Sequence, residues 1–235
     1  WRPCGHPQGW LRLLHPVRPP RNLRVSLRAP IPIRQGHEAK GSAPRRPDVD
    51  PAWRWRQLLL APHRLGFFLA VMVLVAAGAW WALVQLDRAG AGLGLSYAVS
   101  PSLAHATVMT FGFFPLFFAG FLFTAGPKWL AVPAMEARQL RAPLVLQAAG
   151  WGVWLAGAHV HVGLAGGGLA CATVGLGWMV ALFWRLVTAS PAEDRRHAVV
   201  IGVGAIVGWL SLVGAGIALL LDGPAVGRAC VLTGL

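Results

Sequence analysis

Between Gly66 and Leu221 the chain runs through five apolar stretches, each close to the length that a lipid bilayer demands. A hydrocarbon core of about 30 Å takes about 20 residues of helix. The stretches cover residues 66–86, 103–125, 143–162, 169–187 and 198–221, and a sixth begins near Val226 and is still open at Leu235. Lipid offers no partner to a backbone amide or carbonyl, so stretches of this length must close their hydrogen bonds internally, as helices. The expected fold is therefore all-α: a polytopic transmembrane bundle with five complete spans and the start of a sixth. A content of 56% hydrophobic and 12% charged residues agrees, because a water-soluble core of this size could not hide so much apolar surface. A signal peptide is not expected, since the first stretch is too long and Trp80-Trp81 is no small-residue cleavage site.

The net charge of +13 suggests nucleic acid until it is divided along the chain. Residues 1–56 hold 12 of the 21 Lys and Arg and 3 of the 8 acids, leaving the body nearly neutral. This Pro/Arg-rich tail has neither a helical nor a strand period, and is expected to be disordered or an upstream translation outside the native protein. Its proline density forbids a basic helix and it lacks interleaved aromatics, so no nucleic-acid partner is expected; the lipid bilayer is. Residues 57–235 form the transmembrane domain, and the ends at Trp1 and within an apolar run suggest part of a longer protein. Loop cations set the orientation. Arg54, Arg56 and Arg64 precede the first span; Lys128, Arg138 and Arg141 follow the second; Arg185, Arg195 and Arg196 follow the fourth. The other loops hold only Arg88 and Arg228, so the N-terminus is expected in the cytoplasm.

Ionisable side chains within a span are costly, which makes each histidine there a candidate ligand. In this topology His105 opens the second span and His159 and His161 close the third, all at the outer face. His63 and His197 lie at the inner boundary, beside Arg64 and Arg196, as weaker candidates. Imidazole suits haem iron or copper, and two helices can hold either between them. His159 and His161 are two residues apart, about 200° around a helix, so both reach one metal only where the helix end unwinds. Interfacial histidines bonded to carbonyls or headgroups are the alternative.

In the second span Pro115 should kink the helix, while Gly112 and Gly120 permit close approach of a helix or flat cofactor. Seven phenylalanines between Phe111 and Phe123 make an aromatic wall. Cys4, Cys171 and Cys230 form no disulfide or zinc pattern. Asp87, Glu136, Glu193, Asp194 and Asp222 all fall in loops, as do Gly90, Gly92, Gly94 and Gly166–Gly168. No phosphate loop, GxSxG or HExxH occurs, so nothing in the motifs points to an enzyme.

The stretch from His105 to Phe113 (HATVMTFGF), followed by Ala119–Trp129 (AGFLFTAGPKW), resembles the NnrS family, and Pro62–Phe67 (PHRLGF) resembles the start of that family's membrane region. The resemblance covers residues 60–235, which would be the first half of the family's set of spans. It implies a bacterial inner-membrane protein containing haem and copper and linked to nitric oxide metabolism and resistance to nitrosative stress. His105 matches a histidine of the family motif; Thr107 stands where many members have a second His or a nearby Glu. On this reading the metal would be haem and/or copper, with His105 first and His159 or His161 second. The missing C-terminal half and nitric oxide would be partners. The alternatives are half of a transporter or channel, for which a kinked, glycine-bearing span is also suited, and a cofactor-free structural subunit.

Overall fold

The computed structural model describes residues 54–221, which contain helices and no strand. The tail before Arg54 and the sixth span expected from Val226 lie outside the described residues. A short 3-10 helix, Trp55–Leu60, leads into α1, Pro62–Leu86, with Pro62 in the first turn where its missing N–H costs nothing. A second rod runs from Pro101 to Trp129 as α2 (Pro101–Val108), a π-bulge (Met109–Phe113) and α3 (Phe114–Trp129). Three further helices follow: α4 (Ala137–Val160), α5 (Val162–Ala189) and α6 (Arg196–Leu220).

Four of these helical segments, Pro62–Ala91, Pro101–Trp129, Val162–Ala189 and Arg196–Leu220, are long and apolar enough to cross a membrane. The remaining helix, α4, has 24 residues but carries Arg138, Gln139, Arg141 and Gln147. Its neighbours explain the difference. It packs against α1, α2, α3 and α5, and Leu140, Leu144, Gln147, Trp151 and Ala158 are fully buried.

The expected separation of the third and fourth spans by a glycine loop is corrected. One residue, His161, breaks the helix with extended backbone, and Gly166, Gly167 and Gly168 stand inside α5. Gly168 is buried there because α4 and α5 form an antiparallel pair whose backbones touch. Residue 157 meets 165, 150 meets 172, and 147 meets 175, a constant register along the pair. Small residues at such crossings replace the hydrophobic driving force that lipid cannot supply.

A second close crossing joins α1 to α3, where Gly66 lies against the Gly120 backbone. There the His63 N–H donates to Thr124 Oγ1 (3.1 Å), and the Thr124 hydroxyl donates to Gly120 O (2.9 Å). This serves an otherwise orphaned amide at the start of α1, whose preceding residue, Ala61, has no side chain with which to cap it. On the far side of α5, the Trp209 indole of α6 donates to Thr173 O (3.1 Å).

Pro115 is accompanied by a π-bulge rather than a simple kink, the extra residue lying just ahead of the proline. The phenylalanine wall divides: Phe111 and Phe123 are buried, whereas Phe114, Phe117, Phe118 and Phe121 face outward.

Candidate functional site

At the end of α1 the chain reverses through Asp87–Gly94, where Gly90, Gly92 and Gly94 take positive φ (91°, 65° and 63°) that a side chain would strain. Ala98 and Val99 then donate their N–H groups to Ala158 O of α4 (2.7 and 3.1 Å). This strap aims α2 back along α1. The Trp154 indole of α4 donates to Ala104 O (3.1 Å), fixing α2 one residue before His105.

These constraints gather an aromatic and imidazole cluster around Trp80 and Trp81. Trp81 stacks on His105 with ring centroids 4.6 Å apart and 14° between planes. The Arg88 guanidinium also lies over Trp81, 5.5 Å from its centroid, as a cation–π contact. Trp80 Nε1 donates to His159 Nε2 (2.6 Å), and His159 Nδ1 lies 2.8 Å from Ser96 O. An indole can only donate and a carbonyl can only accept, so His159 carries its proton on Nδ1 and uses both nitrogens. His105 differs. Its Nδ1 is buried and has no hydrogen-bond partner among the described residues.

His161 is turned away from this cluster. It is exposed, and its Nδ1 accepts the Gly163 N–H (2.9 Å), capping the start of α5. Unwinding at the end of α4 therefore occurs, but it directs the second histidine to a capping task. At the other end of the bundle His63 Nδ1 lies 3.4 Å from Thr124 Oγ1, whereas His197 is exposed in the first turn of α6. No hydrogen bond or ring contact joins the two among the described residues. Nor do three or more His, Cys, Asp or Glu side chains gather there in a metal-binding group. Of the five candidate histidines, His105 is the one whose side chain combines burial with an unused nitrogen.

The residues that build the site around His105 were not singled out by the histidine pattern. The Trp80-Trp81 pair sits at the end of an apolar stretch, where tryptophan usually marks the interface. Tyr97 lies 5.2 Å from the His159 ring, and its hydroxyl donates to Asp87 Oδ2 (3.3 Å). Partial burial of the phenol, and secondarily the Asp87 carboxylate, push its pKa above the ordinary 10.0, with Arg88 opposing. Tyr97 is the chain's one tyrosine, so tyrosinate absorbance in an alkaline titration reads it alone. The folded protein should ionise at higher pH than the denatured chain, and Asp87→Asn should shift the folded curve downward. Because the folded value is the higher one, the stabilising contribution is complete below about pH 10 and is lost as pH rises through the folded value. Coincident curves for folded and denatured protein would remove the Asp87 contact.

The NnrS protein family model matches residues 57–235. No curated protein and no solved structure gives a significant match. The family match spans every helix from α1 to α6, including the His105 cluster and the two glycine crossings, and the chain belongs to the NnrS family.

Proposed function

We propose that this chain is a multi-pass membrane haem protein of the nitric oxide response, in which His105 would hold the haem. The carrying observation is the buried, unpartnered Nδ1 of an imidazole held flat by Trp81. A buried polar group without a partner is costly in hydrocarbon, and binding a cofactor through the same ring would repay ordering it. One imidazole suffices for a haem, whereas copper needs further donors, and His159 is occupied at both nitrogens. Copper is therefore the second reading, requiring donors beyond residues 54–221. A haem held by His105 would supply iron chemistry suited to a diatomic gas.

The chain's own residues would set the surroundings. His159, fixed by Ser96, holds Trp80 and so the neighbouring Trp81 against His105. Ala104 and Val108, beside His105 in α2, are fully buried. On the family match we further propose a bacterial inner-membrane location, and the N-terminus inside, since Arg64, Lys128, Arg138, Arg141, Arg185, Arg195 and Arg196 all border one end of the helices.

The test is the absorption spectrum of the full-length protein purified in detergent. A Soret band that shifts on adding nitric oxide is expected; a colourless, metal-free preparation would sink the reading. The π-bulge and Pro115 also suit a gated helix, and substrate uptake into proteoliposomes would favour half of a transporter instead.

A further inference from the structure

Gln147 and Trp151 stand one turn apart on α4 and both are fully buried. The Gln147 Nε2 donates to Phe111 O (2.8 Å) on the second rod. In an α-helix that carbonyl would be served by the N–H of residue 115, and Pro115 has none. Gln147 thus replaces the missing donor from a neighbouring helix. Because a carbonyl only accepts, the amide orientation is fixed, and Oε1 is left as an acceptor without a donor among the described residues. Trp151 Nε1 is the converse, a donor without an acceptor. The two are complementary yet do not bond to each other.

Both side chains face the π-bulge. A Cβ on Gly112 would lie 3.0 Å from Trp151 Cδ1 and 3.1 Å from Nε1, so glycine leaves the indole N–H edge against bare backbone. Each group left without a partner in a dry interior is a destabilising defect. Residues at i and i+4 share one face of a helix, so the two side chains leave α4 on the same side. One molecule held between them and bonded to both would satisfy the two groups at once. The bridging molecule must accept from the indole and donate to the amide oxygen. A simple anion cannot donate and a metal cation cannot accept, whereas water does both.

We infer that Gln147 Oε1 and Trp151 Nε1 form a binding site for one water molecule inside the bundle, at the π-bulge of the second rod. The bulge inserts a residue between His105 and Pro115, about 100° of helical turn. Gln147 also bonds the Phe111 carbonyl and Trp151 lies against Gly112, so the bound water belongs to the packing around the bulge. Buried waters of this kind, bonded to otherwise unpaired groups, are fixed parts of a structure.

Water-edited solid-state NMR on the full-length protein in lipid nanodiscs tests the site, with indole nitrogens labelled and the Trp151 signal assigned by its loss in Trp151→Phe. Magnetisation transfer from water to the Trp151 indole proton is expected in the wild type and should disappear in Gln147→Leu. Gln147→Met keeps the side-chain length and serves where the leucine variant does not fold. Absence of water transfer at Trp151 in the wild type would overturn the proposal, and so would transfer undiminished in the Gln147 variant.

Discussion

Replacing His105 with alanine should abolish the Soret band of the purified protein while leaving its helices assembled. The stack on Trp81 is lost at a cost of about 1 kcal/mol. The anchors that hold α2 remain, namely the Trp154 bond to Ala104 O and the bonds of Ala98 and Val99, just ahead of α2, to Ala158 O. The variant should therefore elute and melt close to the wild type yet be colourless. Free imidazole added to the variant should restore part of the band, because the vacated space beside Trp81 has the shape of that ring. His161→Ala is the contrasting variant. It removes a cap worth about 1 kcal/mol and should keep the whole band, since His161 is exposed and bonded to Gly163. His159→Ala should shift the band rather than remove it, as Trp80 loses its acceptor and the neighbouring Trp81 loosens. A full band in His105→Ala would exclude His105 as the ligand.

The helical character of the chain was legible because span length is dictated by the bilayer, and runs such as 198–221 carry that signal without help from packing. Boundaries were less so. Hydropathy reads Gly166–Gly168 as a loop, since glycine contributes little to an apolar average. In the bundle those glycines let α5 approach α4, and that requirement depends on a partner helix the sequence does not display. The Pro115 distortion was visible, but its form was not, because the compensating donor, Gln147, lies 36 residues from Phe111. A lone amide inside a span was the available signal, as polar groups in lipid need a reason. Of the histidines, residue type and depth placed His105 and His159 at the same end. Which one keeps a free nitrogen depended on Trp80 and Ser96, contacts that no spacing rule reveals.

Gly150→Val should be among the most damaging single substitutions in the chain. A Cβ at 150 would lie 2.6 Å from Ala172 N and 2.7 Å from Gly168 O, and one at 168 would lie 2.5 Å from Trp154 N. All are backbone atoms, so no rotamer change relieves the clash and the two helices must separate. Separation forfeits dispersion along the pair, since a gap of about 1 Å already loses up to half of each contact's attraction. It also disturbs Gln147, whose own backbone lies against Gly175, and with it the donor that serves Phe111 O. Overpacking a core costs about 1–3 kcal/mol where side chains can yield, and rigid backbone should place this case at or above the upper end. For a domain of this size that corresponds to about 10 °C in melting temperature. Gly152 lies on the opposite face of the same helix, where an added Cβ meets nothing within 4 Å. Gly152→Ala should therefore hold or raise stability by up to about 1 kcal/mol through helix propensity alone. Thermal denaturation in detergent, followed by the loss of the monodisperse elution peak, measures both. Equal melting of Gly150→Val and wild type would contradict backbone contact between α4 and α5, and the opposite responses of two glycines two residues apart would locate that contact on one face of α4.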